Sequence, residues 1–162
     1  MAPMDEKRAI ERATAEAFLA HYNREHGTSF RIVQHGDAPD IVASGNNGRR
    51  IQLEIVLTED RAGDIQAVLG RSDSRSVDAR PLKRGSSLAD NVADSLIERL
   101  HGKMMKRYGA NTALVIRDTS GVGWDWDLIS NELKAKLSHM ENPFDQGIWI
   151  VNRSKDQVFQ IL

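Results

Sequence analysis

The sequence predicts an α/β fold, a mixed central sheet flanked by helices. Three observations predict it. Helical and strand-like segments alternate in the order helix, three strands, long helix, strand, helix, two strands. The second and third strands are joined by a tight Gly/Asn turn, which makes them antiparallel neighbours. The strand after the long helix, NTALVIRD, is almost continuously apolar, as expected of a strand covered on both faces. A meander followed by a crossover helix and a buried strand gives a sheet of mixed direction.

Residues 4–25 read as an amphipathic helix closed at Gly27 in REHGTS. At 100° per residue, Ile10, Thr14, Ala17, Phe18 and His21 form its apolar side, and Glu11 falls beside Phe18 and Tyr22. TSFRIVQHG supplies the first strand through Phe30, Ile32 and Val33. Strands at 39–44 and 50–57 flank GNNG, whose residues tolerate positive φ. DRAGDIQAVLGR, within 59–70, is expected to form a short helix. The segment 71–86 lacks apolar periodicity and reads as a mobile basic loop, with five basic residues against two acidic. The long helix spans about 87–108 with Ser87 as its cap, and carries the stripe Ala89, Ala93, Ile97, Leu100, Met104, Tyr108. GVGWDWDLISNELKAKL turns into a third helix; one of Trp124 and Trp126 is expected to anchor that turn in the core, the alternative being base stacking. FDQGIWIVNR and DQVFQIL are the last strands.

The 162 residues suit one domain with a real core. A net charge of -1 rules out a globally polycationic binder, so a nucleic-acid site has to be a local patch. No cysteine is present, which excludes disulfides, thiolate zinc sites and cysteine nucleophiles and fits a cytoplasmic setting. The charged start MAPMDEKRAIER offers no signal-peptide core, and no apolar run approaches a membrane span. The five histidines show no metal-ligand spacing, and GVG is too short for a phosphate-binding fingerprint.

The chemistry concentrates on the hairpin PDIVASGNNGRRIQLEIVL. Along its second strand Ile51, Leu53, Ile55 and Leu57 share one face, while Gln52, Glu54 and Val56 share the other. In isolation that second face reads as solvated. The first strand of the pair opens with Asp40, which alone would read as a turn residue after Pro39. Together, on paired strands, Asp40 and Glu54 are expected to converge. Two such carboxylates repel unless a hard divalent cation sits between them, and Mg²⁺ held that way serves phosphodiester hydrolysis. Glu11 faces inward on the first helix and needs a partner. It is expected either to pair with Lys7 one turn earlier or to assist at the metal. Lys103 lies at the edge of the long helix's stripe, from which its stem can run along the core to a neighbouring cleft. Lys106 and Arg107 at that helix end read as complements of the helix dipole.

Pro39-Asp40, thirteen intervening residues and Glu54 within an apolar strand resemble the PD-(D/E)XK nuclease superfamily, the restriction-endonuclease-like fold. The resemblance covers roughly residues 5–118 as topology. It implies that Asp40 and Glu54 bind Mg²⁺ or Mn²⁺ and that the substrate is nucleic acid, DNA foremost. It also implies a homodimer, as in many proteins of this fold class. A lysine two residues past the glutamate positions or activates the attacking water in that family, and here the position is Val56. In some members the lysine has moved to a nearby helix, where Lys103 is the best replacement. Gln52 is the other candidate for orienting the water. The competing expectation is a degenerate site on the same fold, a module that binds nucleic acid or protein without cleaving. A third is a subunit whose edge strands pair with another chain.

Overall fold

A computed structural model of the chain describes residues 3–58, 88–119 and 125–162. The expected short helix at 59–70, the basic segment 71–86, the Ser87 cap and Trp124 lie outside those residues, as does the side chain of Ala89. The elements follow the predicted order: α1 (Pro3–His26), β1 (Arg31–His35), β2 (Ile41–Ser44), β3 (Arg50–Leu57), α2 (Leu88–Met104), β4 (Thr112–Arg117), α3 (Trp126–Leu137), β5 (Ile148–Val151) and β6 (Val158–Gln160). The strands form one six-stranded sheet in sequence order. β1, β2 and β3 are antiparallel, β3, β4 and β5 run parallel, and β6 returns antiparallel. Among the described residues, no helix is long and apolar enough to cross a membrane.

Strand alternation divides the core in two. On one face Ala113 and Val115 of β4 join Ile51, Leu53, Ile55 and Leu57 of β3 beneath Ala15, Phe18 and Leu19 of α1. On the other, Leu114 and Ile116 join Ile148 and Ile150 beneath α2 and α3, with Val56 the one contribution of β3 to that cluster. Covering on both faces accounts for the unbroken apolar run of β4, whose residues 112–116 are all buried.

Several boundaries and faces differ from the sequence reading. α2 stops at Met104, not 108, and Tyr108 lies past its end, stacked on Phe144 at a ring separation of 4.5 Å. The buried side of α1 is rotated from the expected one: Ala15 and Leu19 are inside, and Glu11 sits within the buried face at 5 % exposure. β2 begins at Ile41, so Asp40 stands just before it. Trp126 is the tryptophan that anchors its turn, donating from Nε1 to Asp118 Oδ2 at 2.8 Å. Asp125 caps α3 by accepting from Leu128 N.

Candidate active site on the β2–β3 hairpin

The site begins with register. Ile41 pairs with Leu53 and Val42 with Gln52, so one further step sets Asp40 opposite Glu54. The next step would put Ile55 opposite Pro39, where β2 has not yet begun. Ile55 N therefore donates to Asp40 Oδ2 at 2.8 Å, and the side chain takes the place of a missing ladder acceptor. This fixes the Asp40 carboxylate beside the residue that follows Glu54.

Glu54 is 7 % exposed, so its face of β3 is not the solvated one that the strand suggests in isolation. The α2/α3 layer covers β4 and β5 and reaches β3 at Val56. At the border of that layer the last turn of α2 delivers Lys103. Its Nζ donates to Glu54 Oε2 at 2.8 Å and stands 3.9 Å from Asp40 Oδ2. One ammonium thus serves both carboxylates. Tyr108 OH donates to the carbonyl of Lys103 at 2.9 Å, tying the turn after α2 to the residue that carries the charge.

The electrostatics follow from this packing. Burial raises the Asp40 carboxyl from its ordinary 3.8 to about 6. The negative charges of Glu54 and Glu11 push the same way, while the Ile55 amide and the Lys103 ammonium pull against it. Tyr108 is raised to about 12, chiefly by burial and then by the charges of Glu54 and Asp40, which holds it as a neutral donor.

Glu11 is close enough to be felt at Asp40, yet its carboxylate is committed elsewhere. His35 Nε2 lies 3.0 Å from Glu11 Oε2, and Lys7 Nζ lies 3.7 Å from Oε1. The expected Lys7 pair is present, but His35 is the closer partner. Gln52 is half-buried, and among the described residues its side chain makes no hydrogen bond to Asp40, Glu54 or Lys103. The structure therefore brings Asp40, Glu54 and Lys103 into one constellation, leaves Glu11 at its margin and gives Gln52 no hydrogen bond to it among the described residues. Two participants escaped the sequence reading. Nothing in the spacing of His35 marks it as Glu11's partner. Tyr108 fits the phase of the α2 stripe, which hid the role of its hydroxyl.

The donor set suits a hard cation. Asp40 Oδ1 and Glu54 Oε1 accept no hydrogen bond among the described residues, while their companion oxygens are held by Ile55 N and Lys103. Among the described residues no group of three or more His, Asp and Glu side chains could hold an ion. The protein would thus supply two carboxylates and leave the remaining positions to water and substrate oxygens, the usual manner of Mg²⁺.

Glu11→Gln is expected to cost about 1–3 kcal/mol, because the buried Glu11 carboxylate is the hydrogen-bond partner of His35 at 3.0 Å and the counter-ion of the exposed Lys7 at 3.7 Å. Urea unfolding at pH 6 measures it, with an unchanged slope showing that only stability moved.

Comparison of the chain with protein-family models, with curated proteins and with solved structures returned no match.

Proposed function

We propose that this protein is a metal-dependent nuclease of the PD-(D/E)XK class, hydrolysing phosphodiester bonds of nucleic acid, DNA foremost, with Mg²⁺ or Mn²⁺. The observation that carries the reading is the Lys103 ammonium, 2.8 Å from Glu54 and 3.9 Å from Asp40. It provides, from a helix, the cation that the resemblance would place at Val56. That position is occupied by a valine buried in the core cluster beneath α2 and α3, where an ammonium would be desolvated.

In this reading Asp40 and Glu54 would hold the metal, which when bound would supply an acidified water and offset charge on the phosphate. Lys103 keeps Glu54 oriented and directs its other N–H groups at the water or a phosphate oxygen, where charge develops. Tyr108 fixes the backbone of Lys103. The Ile55 amide fixes Asp40.

Cleavage of plasmid and single-stranded DNA in Mg²⁺ and in Mn²⁺ tests the proposal, beside Asp40→Ala and Glu54→Ala. Each variant is expected to lose at least about 10²-fold in rate. Activity unchanged in both would remove the assignment. A second reading, a binding module without hydrolysis, draws on the Lys103–Glu54 pair, which already satisfies one carboxylate without a metal. Calorimetry separates the two: heat of Mg²⁺ binding at millimolar concentration favours the enzyme, and its absence with DNA binding intact favours the module.

A further inference from the structure

The helix that delivers Lys103 meets β3 at a second point. Arg99 Nη1 donates to the carbonyl of Leu57 at 3.0 Å, as Lys103 Nζ donates to Glu54 Oε2 at 2.8 Å. The earlier residue of α2 reaches the later residue of β3, so the two elements run antiparallel. Four helical residues rise by about 6 Å, comparable with the step between neighbouring phosphates of a nucleic-acid strand.

Helical phase puts both cations on one border. Arg99 and Lys103 fall about 40° apart, on the side of α2 that faces β3. Glu98 falls about 100° from Arg99, away from Lys103. Asp94 lies on the opposite border, tied to Lys136 of α3 at 3.0 Å. The Leu57 carbonyl takes one N–H of the Arg99 fork, and among the described residues the others make no hydrogen bond. A guanidinium held in place with donors to spare is suited to a phosphate. Exposed arginines such as Arg24 and Arg49 have no comparable anchor, since their side chains make no hydrogen bond or ion pair among the described residues.

On the other side of Lys103 the chain leaves the helix at Met104 and turns, Lys106 N donating to the carbonyl of Lys103 at 3.3 Å. A groove of about 520 Å³ opens there, lined among others by Met105, Lys106, Arg107, Tyr108, Met140 and Glu141. Tyr108 joins it to the constellation, because its hydroxyl holds the Lys103 carbonyl and feels the charges of Glu54 and Asp40. Met105, 70 % exposed, and the half-buried Met140 give the groove apolar walls. Lys106 and Arg107 outweigh Glu141 in charge. Cations beside apolar side chains suit a polynucleotide, whose phosphates need the first and whose sugars and bases the second.

We infer that one strand of nucleic acid lies along the β3-facing border of α2, with Arg99 on a phosphate to one side of the bond cut beside Lys103 and Lys106 and Arg107 on phosphates to the other. This deepens the nuclease reading and rests on it for the place of the scissile bond; the binding track itself requires no cleavage. All four cations belong to α2 and the turn that follows it, the helix that also brings Lys103 to Glu54. A net charge of -1 demands that a nucleic-acid site be a local patch, and this border is one.

The test compares two variants of the full chain that each remove two arginines, Arg99→Ala/Arg107→Ala and Arg24→Ala/Arg49→Ala. Binding of a fluorescent single-stranded oligonucleotide is titrated in EDTA, where no cleavage intervenes, over a range of salt concentrations. The first variant is expected to bind about tenfold more weakly, with the salt slope of its affinity reduced by about 1.4, as two lost phosphate contacts on a single strand require. The second is expected to match the parent. Arg107→Ala alone should reduce the slope by about 0.7 and keep the parent's thermal midpoint, because that side chain is exposed and makes no hydrogen bond among the described residues. It carries the test if loss of the Leu57 contact loosens the double variant. In Mg²⁺ the first variant should raise KM and leave kcat near that of the parent, the mark of lost uniform binding. Equal losses in the two double variants, an unchanged affinity in the first, or no binding by the parent at millimolar concentration overturns the inference. Binding that depends on Arg99 and Arg107 in a chain that cleaves nothing would defeat the nuclease reading and leave the track standing. Cleavage whose KM is indifferent to both residues would do the reverse.

Discussion

Lys103→Met is expected to lower metal-dependent cleavage by about 10²–10³-fold, the usual cost of removing one preorganised group aimed at developing charge. The same change should destabilise the chain by about 2 kcal/mol at neutral pH, because Glu54 loses a charged partner at 2.8 Å while 7 % exposed. The two carboxylates are then left without the ammonium they share. A divalent cation should compensate, so the thermal midpoint of the variant should rise with added Mg²⁺ by more than that of the parent. Thermal unfolding in EDTA and in 10 mM Mg²⁺, read beside the cleavage rate, checks both halves. Equal Mg²⁺ shifts in parent and variant would show that Lys103 does not face the metal site.

Asp40→Asn should abolish cleavage and yet stabilise the metal-free protein. The folded chain holds the Asp40 proton up to about pH 6, whereas the unfolded chain releases it near 3.8. Between those values the folded state binds the extra proton, so the parent's stability falls as pH rises from about 4 to about 6 and then levels off. Asparagine has no such proton, and its side-chain oxygen still accepts from Ile55 N. The variant's advantage should therefore be near zero below pH 4 and grow to about 2–3 kcal/mol above pH 7. Denaturant titrations in EDTA at pH 4 and pH 7.5 measure the difference. A variant equally destabilised at both values would mean that Asp40 is a structural acceptor and stores no unfavourable charge.

Much of the architecture was legible because local chemistry and global arrangement agree. The Gly/Asn turn forces β2 against β3, and the unbroken apolar run of 112–116 could only lie inside a covered sheet. The phase of α2 placed Lys103 at the margin of its buried stripe, within reach of Glu54. What stayed hidden depended on contacts between distant segments. The alternation in IQLEIVL looks one-sided because Gln52 and Glu54 are polar, and only Val56 signals the second covering layer. His35 meets Glu11 across 24 positions, a contact with no local trace. Asp40 looked like a turn residue and also completes the β3 ladder, which no propensity encodes.

The anions of the constellation belong to a hairpin, and its cation arrives on α2 as Lys103, 49 residues away from Glu54 in sequence. Charge balance in the pocket is thus a gauge of how firmly that helix is seated. Any slackening of α2, even one that leaves every strand paired, parts the counter-ion from its acids. Gentle warming should accordingly silence the chemistry at a lower temperature than the one at which the sheet comes apart.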